Sequence, residues 1–375
     1  MRPPALPFAH ACRPLPFDQH LFDLCVVHID EREAFGLEDH AIADAFVRGV
    51  EQSVTEAPST AIQGAPPPPA DAAVGPPLFL VIPMEDVFLE DPQEDAAAAA
   101  ATQRERAARL RALVASVSDP TGREDLIGYL RNRLLLRAAG SMGCNRVARG
   151  DSATRLAIRV VAEACKGRGY GLPGDIQPLD AREGPGEAAV VLPVREVAAR
   201  DLALYCRLSG LGFSSSPAYL AHGDLSRNLN ELCSVFVESL QRSHASAVPT
   251  VSPGLGRLAP HSTCARVIAS FSLRLQILKT AAKLEAFAFN RGGEQAAIPL
   301  CPLCRAPLRP TPPAPGAMGF EGACCASCRL QVLGELQGLD RDEWLQSLPA
   351  STRRNATPTR LRAELEGFLL DGDPV

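Results

Sequence analysis

Four cysteines near the end of the chain have the spacing of a metal site. Cys301-Pro-Leu-Cys304 and Cys325-Ala-Ser-Cys328 are two C-x2-C pairs separated by twenty residues. A C-x2-C pair on a tight turn directs two thiolates towards one point, and two such pairs at this spacing are typical of a zinc ribbon. We therefore predict a structural Zn²⁺ ion held by four thiolates, which leave no open coordination position for catalysis.

The same cysteines allow other interpretations. They could form a redox or sulfur-handling thiol site, or they could bind no metal, and Cys324 could replace Cys325 as a ligand with a spacing of three. The other seven of the twelve cysteines are isolated in the sequence, most of them within apolar segments, which is typical of buried free thiols in a reducing compartment. These seven are Cys12, Cys25, Cys144, Cys165, Cys206, Cys233 and Cys264.

A second group of polar residues lies at Gly150-Asp151-Ser152. This turn leads from a short apolar stretch into a helix, whose first turn the aspartate or the serine could cap. Arg149 precedes the turn, Arg155 follows it and Arg168 stands near the helix end. Cations near the carboxyl end of a strand are suited to contacts with phosphate groups. The alternative is an ordinary turn with a helix cap and solvated arginines.

Charge is distributed unevenly along the chain. The whole sequence has a formal net charge of −5 and a pI near 5.9, which excludes nucleic-acid binding by bulk electrostatics. Residues 123–168, however, contain ten basic and four acidic side chains, a local charge of +6. Only three of the 38 basic residues are lysines, so part of this arginine content reflects the compositional bias of the genome.

Short apolar runs alternate with helical patterns along most of the chain. Runs of this kind predict strands at 24–29, 78–82, 144–148 and 188–192. Apolar residues at helical spacing predict helices at 37–52, 103–117, 123–139, 195–208, 226–243 and 262–289, and one more after Ser152. In that helix a polar stripe is expected, formed by Arg155, Arg159, Glu163 and Lys166. The alternation predicts an α/β fold with an open, mostly parallel sheet, whose ligands bind at the carboxyl ends of the strands.

Composition divides the chain into five segments. We predict a truncated start of the α/β domain at 1–56, a linker or disordered insertion rich in Pro and Ala at 57–77, and the remainder of the α/β domain, with a helical C-terminal part, at 78–297. A zinc-ribbon-like segment at 298–332 and a C-terminal helical tail at 333–375 follow. The longest apolar run is far shorter than the roughly 18 residues of a membrane span, and prolines interrupt the N-terminus. We therefore expect a soluble, cytosolic protein without a membrane partner.

Several sequence blocks resemble one family in the same order. They are Arg149-Gly-Asp-Ser-Ala-Thr-Arg-Leu-Ala157, Lys166-Gly-Arg-Gly169, Val190-Val-Leu-Pro-Val-Arg-Glu196 and Leu204-Tyr-Cys-Arg-Leu208, and the two C-x2-C pairs follow them. The family is the second subunit of the eukaryotic cytosolic tRNA thiouridylase. The resemblance covers roughly residues 20–330.

The resemblance implies the fold of the PP-loop adenine-nucleotide hydrolases, which is Rossmann-like. It also implies a heterodimer with a catalytic paralogue, which adenylates the wobble uridine of certain tRNAs and replaces its 2-oxygen with sulfur from a thiocarboxylated ubiquitin-related modifier. The subunit that this chain resembles is required for the reaction without performing the complete chemistry. By this resemblance Gly150, Asp151 and Ser152 are the remnant of a nucleotide site. From the local positive charge we further predict that Arg149, Arg155 and Arg168 contact tRNA.

One motif of that fold has no counterpart in the sequence. A working PP-loop needs an S-G-G-x-D-S type turn, whose glycines let backbone N–H groups surround the pyrophosphate of ATP. The sequence contains no such turn, and it begins at what would be the second strand of the family. We therefore do not expect this chain to bind ATP. Two other functions stay open, an ATP-dependent enzyme that uses Asp151 and a zinc-ribbon scaffold whose α/β part is an interaction surface.

Overall fold

The computed structural model describes residues 24–36, 40–55, 78–89, 102–184, 186–210, 228–243, 281, 283–284, 286–291, 298–309, 320–338 and 340–354. The chain forms two compact units. The first comprises Met1–Met84 and Arg131–Ala296, and the second comprises Glu85–Leu130 and Ala297–Val375. The expected linker at 57–77 and most of the expected helix at 262–289 lie outside the described residues.

Among its described residues, the first unit has five strands. They are β1 (Cys25–Asp30), β2 (Leu78–Pro83), β3 (Arg146–Ala148), β4 (Leu179–Asp180) and β5 (Ala189–Val191). β1 pairs with β2 in parallel, and Cys25 stands opposite Leu78. A second sheet has the order β3-β5-β4, in which β3 and β5 are parallel and β4 is antiparallel to β5. The predicted α/β class with mostly parallel strands is therefore confirmed, and the described strands form two sheets rather than the one expected.

Eleven helices have bounds within the described residues. They are α1 (Arg32–Phe35), α2 (His40–Thr55), α3 (Gln103–Ser116), α4 (Pro120–Ser141), α5 (Ala153–Cys165), α6 (Leu172–Ile176), α7 (Ala199–Leu208), α8 (Leu229–Ser243), α9 (Phe320–Ala323), α10 (Arg341–Ser347) and α11 (Ala350–Arg354). Short 3₁₀ segments lie at Met84–Leu89 and Ala288–Asn290, and a π-helical turn lies at Cys328–Val332. Among the described residues, no helix has both the length and the apolar character needed to cross a membrane.

Helix α5 packs on two apolar clusters in the core of the first unit. Its buried face places Ala153 and Leu156 against Leu192, directly after β5, and Val160 and Val190 pack on this cluster. Val160 also packs against Leu172, Ile176 and Ala281, so α5 joins two apolar clusters. Because α5 is fixed on this side, the turn before it and the last residues of the helix have defined positions.

The second unit has its own apolar core. Leu110, Val117 and Trp344 are fully buried, and α3 packs against α10. Both helices begin with a capping box, formed by Thr102 with Glu105 and by Asp340 with Glu343. The structure thus combines residues 85–130 with the segment after residue 297, whereas our linear division kept residues 85–130 with the α/β domain.

Candidate metal centre and arginine cluster

The four cysteines of the two C-x2-C pairs come together in the second unit. The Sγ atoms of Cys301, Cys304, Cys325 and Cys328 all lie within 4.8 Å of one another. The Cys304 and Cys325 Sγ atoms are 3.7 Å apart, and Cys301 and Cys328 have no exposed surface. This group is the only set of three or more potential metal ligands among the residues that the structure describes.

Two tight backbone turns position these thiols. In the first, the Cys301 N–H donates to Ala306 O and the Arg305 N–H donates to Cys301 O, each at 2.9 Å, with Arg305 in the left-handed region at φ 59°. In the second, the Cys328 N–H donates to the Cys325 Sγ at 3.4 Å. The Cys325 N–H also donates to the Cys301 Sγ at 3.4 Å, which connects the two turns. Backbone donors of this kind stabilise thiolates.

The surroundings of these thiols favour a bound cation. Burial raises the pKa of Cys301 to about 12, and hydrogen bonds with Cys301 raise the pKa values of Cys304 and Cys328 well above their ordinary range. Four negative charges in so small a volume would repel one another strongly, and a divalent metal ion removes that repulsion because it binds thiolates directly. The donor set therefore fits a thiophilic metal ion.

The spacing of the sulfurs also fits a single ion. Four sulfurs that are each about 2.3 Å from a tetrahedral Zn²⁺ lie about 3.8 Å from one another. The Cys304–Cys325 distance of 3.7 Å agrees with this arrangement. Cys324, which is also buried, lies outside the group of four.

The turn at Gly150-Asp151-Ser152 lies in the first unit, between β3 and α5. Ser152 is the helix cap, because its side chain accepts a hydrogen bond from the Arg155 N–H at 3.4 Å. The buried Asp151 carboxylate instead forms ion pairs. Its Oδ2 atom is 2.7 Å from the Arg149 guanidinium and 3.7 Å from that of Arg159. A Cβ atom added at Gly150 would have no neighbour within 4 Å.

The arginines around Asp151 form a cluster with excess positive charge. Burial lowers the pKa of Arg149, and the neighbouring positive charge of Arg159 adds to this effect. The two guanidiniums share the single carboxylate of Asp151. Their side chains retain 24 % and 31 % of their surface, so a solvent-borne anion can reach them. Arg155 is more exposed than either.

Arg168 has different surroundings from the other two predicted tRNA contacts. Its side chain keeps only 8 % of its surface, and its guanidinium lies 3.1 Å from the Glu163 carboxylate. Lys166, with 2 % exposure, binds the same carboxylate at 2.8 Å. The expected polar stripe of α5 is therefore wrong at Glu163 and Lys166, because the loop after the helix folds back and Arg168 completes a buried ion-pair group.

Two charged groups in the first unit were not anticipated as parts of a site. Arg159 was assigned only to the polar stripe, and its approach to Asp151 depends on the fold of the turn. Arg182 lies 2.5 Å from Asp175 and 2.8 Å from Asp180, which ends β4. A local signal for Arg182 does exist, because Asp180-Ala-Arg182 repeats the pattern of Asp30-Glu-Arg32 at the end of β1. In both, the aspartate accepts from the N–H and the Nε of the arginine two residues later.

Comparison with known proteins finds relatives of one name. The chain is 28 % identical over 277 residues to "Cytoplasmic tRNA 2-thiolation protein 2" of Arabidopsis thaliana, which covers 72 % of this chain and 56 % of that protein. It is 28 % identical over 293 residues to "Cytoplasmic tRNA 2-thiolation protein 2-A" of Xenopus laevis, with 71 % and 56 % covered. The human protein of the first name is 34 % identical over 161 residues, 43 % of this chain and 30 % of that protein.

The chain therefore spans little more than half the length of the Arabidopsis and Xenopus relatives. No protein-family model matches it. Among solved structures, a U34-tRNA thiolase of Methanococcus maripaludis with its [4Fe-4S] cluster aligns with a TM-score of 0.40 and 12 % identity, over 71 % of this chain and 65 % of that one. The resemblance noted in the sequence is confirmed by the curated relatives: the chain has homologues named cytoplasmic tRNA 2-thiolation protein 2 in plants and in animals.

Proposed function

We propose that this chain acts in the 2-thiolation of wobble uridine in cytoplasmic tRNA, as a non-catalytic subunit of a sulfurtransferase complex. The observation that carries the proposal is the homology to proteins named for cytoplasmic tRNA 2-thiolation in both plants and animals. In this proposal the chain pairs with a catalytic PP-loop paralogue as a heterodimer. That paralogue adenylates the uridine and takes sulfur from a thiocarboxylated ubiquitin-related modifier.

The ion pairs of Asp151 support a non-catalytic role. A carboxylate that serves a bound nucleotide, for instance through a metal ion, must present free oxygen atoms to it. Here Arg149 lies 2.7 Å from Oδ2 of Asp151 and Arg159 lies 3.7 Å from it, while the residue is 7 % exposed. The sequence also lacks the glycine-rich turn that would surround a pyrophosphate. An ATP-dependent activity of this chain alone is therefore not part of the proposal.

The arginine cluster supports contact with tRNA. Two guanidiniums share the single carboxylate of Asp151, so a phosphate group beside them would gain more attraction than beside a balanced ion pair. Arg149 and Arg155 are the two predicted contacts that solvent reaches. Arg168 contributes through the ion pair with Glu163, which holds the end of α5, and we reassign it to a structural role.

We propose Zn²⁺ as the ion that the four cysteines hold. The sulfur spacing supports a single tetrahedral ion, whereas in an iron–sulfur cluster each cysteine binds a different iron atom and the sulfurs lie further apart. The role of the ion is structural, because four thiolates fill its coordination sphere. Elemental analysis of the anaerobically purified chain tests this with one equivalent of zinc as the expected result. If the analysis instead finds iron and acid-labile sulfide, an iron–sulfur cluster replaces zinc in the proposal.

Complementation tests the function directly. Cells that lack their own 2-thiolation protein 2 should regain wobble 2-thiouridine, measured by mass spectrometry of tRNA nucleosides, when this chain is expressed. A paralogue of the PP-loop class should copurify with the tagged chain. If the chain is abundant and metal-loaded but restores no 2-thiouridine and copurifies with no such paralogue, the zinc-ribbon scaffold with an unrelated partner becomes the better function. ATP hydrolysis by the chain alone would instead favour an independent enzyme.

A further inference from the structure

Three aromatic rings of the first unit contact one another in series. The ring centroids of Tyr170 and Phe287 are 5.5 Å apart with an angle of 78° between the ring planes, and those of Phe287 and Phe289 are 5.0 Å apart at 10°. Tyr170 lies in the turn between α5 and α6, whereas the two phenylalanines lie at the 3₁₀ segment Ala288–Asn290. We call these three residues the aromatic row.

The buried end of the aromatic row is fixed by charged and polar side chains. Phe289 is 4 % exposed, and the Arg182 guanidinium lies 5.5 Å from its ring centroid. The Asn290 side chain donates to a carbonyl oxygen of β4 at 2.7 Å, which ties the 3₁₀ segment to that strand. Because Phe289 positions Phe287, and Phe287 contacts Tyr170, the Tyr170 ring is held before any ligand arrives. A contact group that is already ordered loses little entropy on binding.

The other end of the aromatic row reaches solvent and is accompanied by positive charge. Tyr170 keeps 38 % of its surface. Lys283 and Arg291 lie four residues before and after Phe287 in the chain, and both are exposed. Helix α5, which contributes to the arginine cluster, ends shortly before Tyr170. An exposed ring accompanied by cations is suited to a ligand that combines planar aromatic rings with negative charge.

We propose that Tyr170 stacks on an unpaired base of the bound RNA, and that Lys283 and Arg291 contact the phosphates next to that base. This inference rests on the proposed function, in which tRNA is the ligand. Unpaired bases of RNA loops stack on aromatic side chains, whereas the bases of a duplex are already stacked on one another. The wobble uridine lies in such a loop. The ring therefore lets this chain distinguish unpaired RNA from duplex RNA, which phosphate contacts alone do not.

Stacking and phosphate contacts respond differently to salt. A phosphate contact releases counterions and steepens the salt dependence of the binding constant, whereas stacking on a neutral ring does not. Loss of the Tyr170 ring should therefore lower the affinity about tenfold at every salt concentration. Lys283→Ala with Arg291→Ala should instead lower the salt slope.

Binding of a labelled anticodon stem-loop RNA, measured by fluorescence anisotropy over a salt series, tests the proposal on the full chain with its copurified partner. We expect Tyr170→Ala to bind about tenfold more weakly with an unchanged salt slope, and Tyr170→Phe to bind like the wild type, because stacking needs only the ring. A duplex RNA of equal length should bind all three proteins equally. Tyr205→Ala is the matched control, because Tyr205 is 63 % exposed on α7 of the same unit, and it should not change binding.

A second measurement needs no variant. A stem-loop with 5-iodouridine at each loop position in turn is irradiated with the wild-type assembly, and mass spectrometry should find the cross-link at Tyr170 for at least one position. Cross-links exclusively at other residues would overturn the proposal.

Three further results separate this inference from the proposed function. If the wild type binds the stem-loop and Tyr170→Ala binds it equally well, the stacking contact is wrong while the proposed function stands. If Tyr170→Ala loses the copurified partner but keeps its RNA affinity, the ring contacts a protein, which also overturns the inference. A wild-type assembly that binds no tRNA at all would contradict the proposed function itself.

Discussion

The side chains of Cys301, Cys304, Cys325 and Cys328 share a buried volume in which thiols do not ionise readily. Burial raises the pKa of Cys301 to about 12, and hydrogen bonds with Cys301 raise the pKa values of Cys304 and Cys328. Without a metal ion the thiols of Cys301, Cys304 and Cys328 are therefore protonated at neutral pH. Binding of a divalent ion has to displace these protons, so metal affinity rises with pH until the thiols are fully deprotonated.

Replacing two ligands should release the metal. Cys301→Ser together with Cys328→Ser leaves two thiolates, which cannot hold a tetrahedral ion tightly, and we expect the bound metal to fall below a tenth of an equivalent by elemental analysis. Cys324→Ser is the matched control, because this buried thiol lies beside the site but outside the group of four. Metal loss in the control equal to that of the double variant would make Cys324 a ligand.

For single residues, the sequence predicted which cysteines come together better than it predicted how each side chain is buried or paired. Spacing alone named the four cysteines that meet, since the C-x2-C geometry is local. It left the cap of α5 undecided between Asp151 and Ser152, because both residue types accept hydrogen bonds from a first helical turn. It could not separate Arg168 from Arg155, since the burial of Arg168 depends on how the chain folds back onto Glu163.

At the scale of elements, α4 approaches the π-helical turn of the second unit through one glycine. A methyl group at Gly122 would come within 2.0 Å of the Gln331 carbonyl oxygen, which is far inside van der Waals contact. The Gly122 N–H also donates to the Asp119 carboxylate at 2.9 Å, which fixes the start of α4. Backbone atoms on both sides leave little room for adjustment.

Gly122→Ala should therefore destabilise the protein, by about 1–3 kcal/mol if the backbone has to shift. Gly128→Ala on the same helix is the matched control, because nothing lies within 4 Å of its added methyl group. Alanine is the better helix former, so this control should gain about 0.5–1 kcal/mol. Chemical denaturation of the metal-loaded chain measures both. Equal effects of the two substitutions would contradict the close packing of α4 on Gln331.

Strand β1 carries a histidine that should make the first unit sensitive to acid. Burial lowers the pKa of His28, and Arg32 adds to this, while the nearby Asp30 and Glu31 oppose it without reversing it. The unfolded chain therefore takes up a proton near pH 6.5, where the folded chain does not. The stability contributed by neutral His28 is present above that pH and is lost as the pH falls towards the lower pKa of the folded state.

His28→Gln removes this titration. We expect the difference in unfolding free energy between the wild type and the variant to shrink as the pH is lowered from 7.5 to 5.5, in parallel urea titrations. The carboxylates are the same in both proteins, so their contribution to the pH dependence of the unfolding free energy cancels in this difference. A difference that stays constant over this range would show that burial does not depress the pKa of His28.

Elements were the most predictable level of the structure. Each predicted strand has a counterpart within about two residues, because runs such as Leu78–Ile82 are β-branched, apolar and bounded by proline. β4 was missed because two residues give no periodicity. The Asp-x-Arg turns after β1 and β4 show a local signal that the sequence does contain, since one aspartate binds two donors of an arginine only two residues away.

At the scale of the whole molecule, two properties do not follow from the order of the segments along the chain or from the overall composition. The second unit is discontinuous, since residues 85–130 join the chain after residue 297, and such pairing depends on long-range apolar contacts around Trp344 and Leu110. Charge is likewise uneven: residues 123–168 carry +6, which leaves −11 for the remainder. An acidic molecule can therefore bind a polyanion only through a local surface.

Charge reversal in the arginine cluster beside Asp151 should weaken tRNA binding in a salt-dependent way. Arg149→Glu with Arg155→Glu removes two solvent-accessible guanidiniums, and each lost phosphate contact lowers the salt slope of the binding constant by about 0.7–0.9. We expect at least a tenfold loss of affinity at low salt and a smaller loss at high salt. Fluorescence anisotropy with labelled tRNA over a salt series measures both, for the chain alone and with its copurified partner.

Arg341→Glu with Arg329→Glu is the matched control for this experiment. It changes the net charge by the same amount in the second unit, and Arg341 there forms only an exposed ion pair with Glu321. A general effect of net charge would weaken binding equally in both double variants, whereas a local surface responds only to the change beside Asp151. If neither the affinity nor the salt slope differs between the two, the arginine cluster is a solvated surface, and tRNA contact belongs to the catalytic paralogue.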